Sequence, residues 1–377
     1  MAWVLAGERN RATPRLSRQQ TNNTNTHMKI KTVLPLKAKQ IKLGIDVHAD
    51  SYRVVRQVDN ATPQPAQKFT PQGFLLWAKK QLEQAETVCS CYEAGPFGYG
   101  LHRALAALGI QNQVIRPQNW DELGRGVKTD KTDALALVLR LDRLLAGNTK
   151  ALAVIRVPTE AEEQARSASR QREQLRQHRQ RLEAQGRSLL LYYGCRVRGR
   201  WWSPQNWPDV KNRLAVPLQE LLATLRELIE TVNEKLATAT QRLEAQASPQ
   251  PTGFGALSSE LLRREVGHWG RFNNRREVAS LTGMCPRVWA SGNQQQQGSI
   301  SKHGNPRLRR VLIELAWRVV RYQPDYPPVR RWQAVLQGPS AGARKKAIVA
   351  IGRKLAIDQW RLATGRCTVE TLHLKIN

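Results

Sequence analysis

Four acidic residues have the type and setting to do chemistry on a phosphodiester: Asp46 in GIDVHADS, Glu93 in CYEAGPFGYG, and Asp130 and Asp133 in VKTDKTDALAL. Asp130 and Asp133 are three apart where a helical pattern opens, so both project from one face. A cluster of four carboxylates is costly by itself, because like charges within a few Å raise one another's pKa. Two Mg²⁺ would neutralise it. Magnesium takes octahedral oxygen ligands and keeps some waters, and two ions about 4 Å apart clamp the attacking and leaving oxygens of a phosphoryl displacement. Each acid also has an ordinary role open to it. Asp130 suits a helix N-terminus, Asp46 a turn, and Glu93 a solvated strand end.

A second constellation is LTGMCPRVWASGNQQQQGSISKHGNPRLRRVLIELAW. Gly292, Gly298 and Gly304 interrupt it, and Gln294 to Gln297 show no apolar period, so the stretch reads as an exposed loop closed by Ser299 and Ser301. Lys302, His303 and Asn305 follow, with Pro306 at the first turn of the next helix. A serine at such an entrance can attack phosphate, with backbone N–H groups, Lys302 and Arg307 stabilising the oxyanion. It needs activation, since a free hydroxyl is a poor nucleophile. Capping or turn formation is the alternative. Arg307, Arg309 and Arg310 are spaced for phosphate contact or for a solvated helix face. Gly253-Phe254-Gly255 and the helix after it resemble half of a helix-hairpin-helix, whose amides grip phosphate without reading sequence.

The elements that must position these groups can be read from periodicity. Ile41, Leu43, Ile45 and Val47 alternate with Lys42, Gly44 and Asp46, giving a half-buried strand with Asp46 on its polar face. A strand at Tyr52 to Val58, a helix near residues 73–84, a strand at 87–93, a helix at about 98–108 and a strand at 113–116 follow. A helix then opens at Thr129 or Asp130. This alternation predicts a three-layer α/β domain with a mixed sheet. A strand-one Asp, a later strand-end Glu and a D-x-x-D on the final helix come in the order that an RNase H-like nuclease fold requires.

Beyond it, Ala161, Ala168, Leu175, Leu182 and Leu189 recur every seven residues. Leu218, Leu222, Leu225, Ile229, Val232, Leu236, Ala239 and Leu243 step by 4 and 3. Two helices joined by GRWWSPQNWPD predict an antiparallel coiled-coil hairpin, able to dimerise or to serve as a spacer on its own chain. Trp201, Trp202 and Trp207 are expected in its core, with stacking on unpaired bases as the alternative. The expected organisation is a basic disordered arm at 1–40, an α/β domain at 41–150, the hairpin at 151–247, a small all-α domain at 248–365 and a tail at 366–377. Met28 is a second possible start.

Composition narrows the partners. In 377 residues, 60 Lys and Arg stand against 30 Asp and Glu, a formal charge of +30. Such an excess repels itself unless it meets a polyanion, nucleic acid above all. No uncharged apolar run approaches the roughly 18 residues of a spanning helix, so no membrane role is expected. From Lys302 to Lys354 the chain carries 13 Lys and Arg against Glu314 and Asp325. Five scattered cysteines give no disulfide framework and no zinc pattern.

Taken in order, GIDVHADS, CYEAGPFGYGLHRAL, KTDKTDALAL, RFNNRREVASLTGMCPR and QGSISKHGNPRLRRVLIELAW resemble the DEDD-motif insertion-sequence transposases, recombinases guided by a bridge RNA. The resemblance runs from about Lys42 to about Tyr322. It implies a RuvC-like first domain in which Asp46, Glu93, Asp130 and Asp133 bind Mg²⁺, and a second domain whose nucleophilic serine matches Ser301, with Ser299 as fallback. It further implies strand exchange through a phosphoserine intermediate, serine and metal site meeting across subunits, a coiled coil that assembles a dimer or tetramer, DNA and guide RNA as partners, and a bacterial cytoplasmic, nucleoid-associated setting. Two other functions fit the residues: a junction-resolving endonuclease that uses water and the four acids, and a non-catalytic nucleic-acid scaffold.

Overall fold

The computed structural model describes residues 37–117, 130–248, 250–291 and 294–376. Most of the expected basic arm lies outside them. Packing divides the chain into two units, Met1–Ile155 and Arg156–Asn377.

The first unit is a mixed α/β layer structure. Its strands are β1 (Ala38–Val47), β2 (Tyr52–Val58), β3 (Gln67–Phe69), β4 (Ala85–Glu93) and β5 (Gln111–Ile115), and its helices are α1 (Pro71–Gln84), α2 (Gly100–Ala107) and α3 (Asp130–Leu145). The sheet order is β3-β2-β1-β4-β5. β2 is antiparallel to β1 and to β3, while β1, β4 and β5 run parallel. The short β3, next to Pro63 and Pro65, carries no alternation that could announce it.

Expected half-buried, β1 is in fact buried on both faces. Ile41, Leu43 and Ile45 are fully covered, and so are Lys42 and Gly44 on the supposed polar face. The reason is α3. A Cβ added to Gly44 would lie 2.4 Å from the carbonyl oxygen of Ala134 and 2.5 Å from the amide nitrogen of Val138, so only glycine lets the helix backbone sit this close. Lys42 survives burial by pairing with Asp142 near the other end of α3 and by donating to the Asp59 carbonyl at 2.8 Å. The opposite face is covered through Phe74 of α1, which meets Tyr52 edge-on at 5.6 Å. There, Asn112 of β5 bonds His102 of α2 at 2.9 Å. Helices on both faces make three layers.

In the second unit α4 (Glu160–Tyr192) and α6 (Val216–Glu244) form an antiparallel pair, with the short α5 (Trp207–Asn212) between them. Arg172 reaches Thr240 at 2.8 Å and Arg179 reaches Asn233 at 3.4 Å, which fixes the direction. α6 buries Leu218, Leu222, Leu225, Ile229, Leu236 and Leu243, the face that the 4 and 3 steps predict. On α4 the expected seam is displaced. Ala161 and Ala168 are exposed and Leu175, Leu182 and Leu189 only half-buried, whereas Ser169, Glu173, Gly186 and Leu190 are covered. The displacement has a polar cause: Arg172 and Arg179 find partners across the seam and Glu173 is covered by Arg310, so side chains that count as hydrophilic in any periodicity occupy it. Trp201 is fully buried and donates from Nε1 to the Glu183 carbonyl at 2.9 Å, and Trp202 and Trp207 pack in the same cluster. Core packing, not a stacking surface, accounts for them.

The remaining elements are α7 (Ala256–Val266), α8 (Arg275–Thr282), β6 (Pro286–Ser291), β7 (Gln294–Ile300), α9 (Pro306–Tyr322), α10 (Pro327–Gln337) and α11 (Ala341–Ala363). One core holds the helices: Leu308, Val311, Leu312, Leu315 and Val319 of α9 meet Ile348, Ile351 and Leu355 of α11. The glutamine run is not a loop. It forms β7, paired antiparallel with β6 from Ser291↔Gln294 through Val288↔Gln297. Backbone pairing needs no apolar side chains, so periodicity misses it. The sequence signal is Gly292-Asn293, a two-residue hairpin pair. Among the described residues no helix is long and apolar enough to cross a membrane.

Candidate active site

Two of the four acids are brought together by strand register. Ile45 of β1 pairs with Tyr92 of β4 in the parallel ladder, so one residue further Asp46 stands beside Glu93. Parallel neighbours lie about 4.8 Å apart, and residues in register share a face. That face is the one covered by α3, because Gly44 and Cys91, two residues earlier on each strand, touch it: the Cys91 thiol donates to the Leu137 carbonyl at 3.4 Å.

α3 runs against the strands. Asp142 sits at Lys42 and Ala134 and Val138 at Gly44, so the opening turn, which contains Asp130 and Asp133, lies toward the strand ends that carry Asp46 and Glu93. Asp46, Glu93 and Asp133 are each half-buried. The side chain of Asp130 lies outside the described residues. Among the described residues no three Asp, Glu, His or Cys side chains converge as a metal cage. The donor set is nevertheless of the right kind, since hard carboxylate oxygens are what Mg²⁺ takes.

His48 is a neighbour that periodicity does not single out. Its Nε2 lies 3.1 Å from Asp46 Oδ2, with the ring half exposed. The signal was the D-x-H spacing past the strand end, where the turn brings position i+2 back.

In the second unit Ser301 follows β7, at the start of a tight turn leading into α9. The turn is locked onto the end of α8: the amides of Ser301, Lys302 and Asn305 donate to the carbonyls of Cys285 at 2.7 Å, Gly283 at 3.0 Å and Leu281 at 2.7 Å. A Cβ on Gly304 would fall 2.4 Å from the Gly283 amide nitrogen and 2.5 Å from the Leu281 carbonyl oxygen, so the fit requires glycine. Lys302 takes φ 58°, a left-handed conformation that costs a non-glycine residue about 1 kcal/mol or more. Asn305 caps α9, accepting from the amides of Arg307 and Leu308, and its Nδ2 donates to the buried Glu265 at 2.7 Å.

These bonds correct one expectation. The amides of Ser301, Lys302, Gly304, Asn305, Arg307 and Leu308 are all satisfied within the protein and are not turned toward a phosphate. The side chains of Lys302 and Arg307, both exposed, remain as the cations beside the serine. The Ser301 hydroxyl is half-buried, 3.5 Å from the Gly283 carbonyl, at the limit of a hydrogen bond. Ser299 is exposed on β7.

The other basic residues divide by role. Arg309 folds back on the carbonyls of Thr282 and Lys302, at 3.1 and 3.4 Å. Arg310 forks onto Glu173 of α4, at 2.5 and 2.7 Å, so it ties α9 to the hairpin. Burial alone would raise the Glu173 carboxyl, but its hydrogen bonds with Arg176 and Arg310 hold it down at about 2. Gly253 and Gly255 both have positive φ at the entrance to α7, and no side chain caps that helix. The Arg318 guanidinium lies against Gly255.

Comparison with known proteins identifies the family. A family model described as Transposase IS116/IS110/IS902 family matches residues 250–328, which include the serine turn. The putative transposase y4rJ of Sinorhizobium fredii is 30% identical over 318 residues, spanning 75% of this chain and 78% of that protein. The transposase for insertion sequence element IS1533 of Leptospira borgpetersenii is 26% identical, over 74% of this chain and 85% of that one. The transposase for IS1111A of Coxiella burnetii is 25% identical, over 70% and 74%. With strand-end acids in one unit, a serine turn in the other and similarity along three quarters of its length, the chain belongs to the IS116/IS110/IS902 family of insertion-sequence transposases.

Proposed function

We propose that this transposase cuts and rejoins DNA by divalent-metal-dependent phosphoryl transfer, with Ser301 as nucleophile and an RNase H-like, RuvC-like first domain as the metal-binding unit. The observation that carries the reading is the register of β1 and β4, which sets Asp46 beside Glu93 under the helix that brings Asp133. Asp46, Glu93, Asp130 and Asp133 would hold two Mg²⁺. The ions supply positive charge that offsets the charge growing on the phosphate oxygens.

The chain's own residues do the rest. Asp46 is oriented by His48. Lys302 and Arg307 hold the phosphate beside the serine. The Ser301 Oγ forms a bond to phosphorus as one P–O bond to deoxyribose breaks, and the proton that Oγ loses ends on the departing oxygen. A second strand's hydroxyl then reverses the step and releases the serine. Pairing of a guide RNA with DNA selects the sites, and the protomers assemble through the α4–α6 hairpin as a dimer or tetramer, which lets a serine of one protomer meet the acids of another.

The test is a denaturing gel of strand-exchange reactions on labelled DNA with wild type, Ser301→Ala and Ser299→Ala. Wild type and Ser299→Ala should give protein-linked DNA, and Ser301→Ala should give none. Adducts from both variants would remove the serine assignment. Free 5′-phosphate ends with no adduct from any of the three would show that water is the nucleophile and the enzyme an endonuclease.

A further inference from the structure

A cavity of about 660 Å³ opens in the C-terminal helices, between the start of α8, α10 and α11. Six cations line it, Arg275, Arg276, Arg331, Arg353, Lys354 and Arg361, against one carboxylate, Asp358. That carboxylate is already committed: Lys354 at 2.5 Å, Arg361 at 3.1 Å and the Tyr326 hydroxyl at 2.7 Å all donate to it. Among the described residues Arg275, Arg276, Arg331 and Arg353 make no ion pair within the chain, and Nε of Arg353 is buried with no hydrogen-bond partner.

Arg275 and Arg276 occupy the first turn of α8. Cations there oppose the helix dipole. The nearby Glu277 carboxylate is taken by the Asn273 amide and Asn274 Nδ2, at 2.9 and 2.8 Å. So concentrated a positive charge attracts an anion. One wall is not charged: Trp332, half-buried, stands with Pro327 and Pro328. Guanidinium groups beside an indole face fit a phosphate joined to a flat ring. The volume lies in the range of roughly 300–1,000 Å³ that suits a small-molecule site, too small for a duplex.

We propose that this cavity holds one unpaired nucleotide of a nucleic-acid strand, its base on Trp332 and its phosphate on Arg275, Arg276 and Arg353. The site deepens the reading above and rests on it for one point only, the distance to the serine. The other end of α8 carries the carbonyls that lock the Ser301 turn. Its eight residues span about 12 Å, so the held nucleotide lies within a few nucleotides of the scissile phosphate.

The experiment measures binding of the full chain to dye-labelled single strands of thymidine and of uridine, and to a duplex, by fluorescence anisotropy. The same strands carrying 5-iodouracil are photocrosslinked and the attached peptide is identified. Trp332→Ala should weaken single-strand binding about 5-fold or more, in line with the roughly 1–3 kcal/mol of a base stack, and leave duplex binding within 2-fold. Trp332→Phe should restore it. Arg276→Ala, on an exposed side chain, should weaken it as well, and the crosslink should map to the α10 peptide. Whichever strand binds more tightly tells whether DNA or RNA fills the site. Equal loss on single strand and duplex, wild-type binding by both Trp332→Ala and Arg276→Ala, or a crosslink elsewhere would overturn the proposal. The binding and crosslinking assays need no strand cleavage, so failure of the serine chemistry and failure of this site are read separately.

Discussion

Glu173 shows how this cationic chain spends its few carboxylates. It is buried on α4 and receives guanidinium groups from Arg176 on its own helix and Arg310 on α9. Its folded pKa, about 2 against an ordinary 4.5, favours the folded state wherever the carboxylate is ionised. That contribution is present above about pH 4.5 and is lost as pH falls toward 2. Glu173→Gln should therefore lower stability at pH 7 by about 1–3 kcal/mol, discounted for the half-exposed Arg310. In urea melts the gap from wild type should close as the pH is taken from 5 to 2.5; a constant gap would show that the ion pairs are not its source. The role proposed for Asp46 is chemical instead. Asp46→Asn keeps the shape and the contact with His48, yet should cut strand cleavage by about 10–100-fold or more, since even the outer-shell partners of metal ligands cost that much when lost, while DNA binding stays near wild type.

Gly44 is where one methyl group decides the placement of an element. Its substitution by alanine would put Cβ against backbone atoms of α3, which cannot rotate away. Overpacking of this kind costs roughly 1–3 kcal/mol. Gly44→Ala should lower the melting temperature and also reduce cleavage, because α3 carries Asp130 and Asp133; a variant with wild-type cleavage would mean that the position of α3 does not matter to the reaction. Most of the first unit was legible in the sequence, since Ile41, Leu43 and Ile45 alternate and Ala134, Val138 and Leu141 step as a helix must. What alternation could not show was that Lys42 and Gly44 are buried as well, because a close-packed helix and a single ion pair leave no periodic trace. The α6 face was legible for the same reason as β1. The α4 seam was not, because Arg172 and Arg179 hold it through polar contacts. The four acids could be picked out as residues; that Asp46 stands beside Glu93 needed the register of two strands, which brings together positions 47 apart in the chain.

A formal charge of +30 makes binding to nucleic acid a property of the whole surface. The logarithm of the affinity for duplex DNA should fall linearly with the logarithm of salt concentration, with a slope near −0.9 for each phosphate neutralised. Asp46→Asn should leave that slope unchanged and Arg307→Ala should reduce it by about 1. Charge alone holds DNA without cutting it, so the proposed chemistry rests on the acids. Calorimetric titration of the full chain with Mg²⁺, in wild type and in the variant with Asp46, Glu93, Asp130 and Asp133 all changed to their amides, tests this most directly. Two bound ions are expected in wild type and none in the variant, with strand cleavage that a chelator stops and fresh Mg²⁺ restores. Equal Mg²⁺ binding by the two proteins, or cleavage that continues in the chelator, would contradict it.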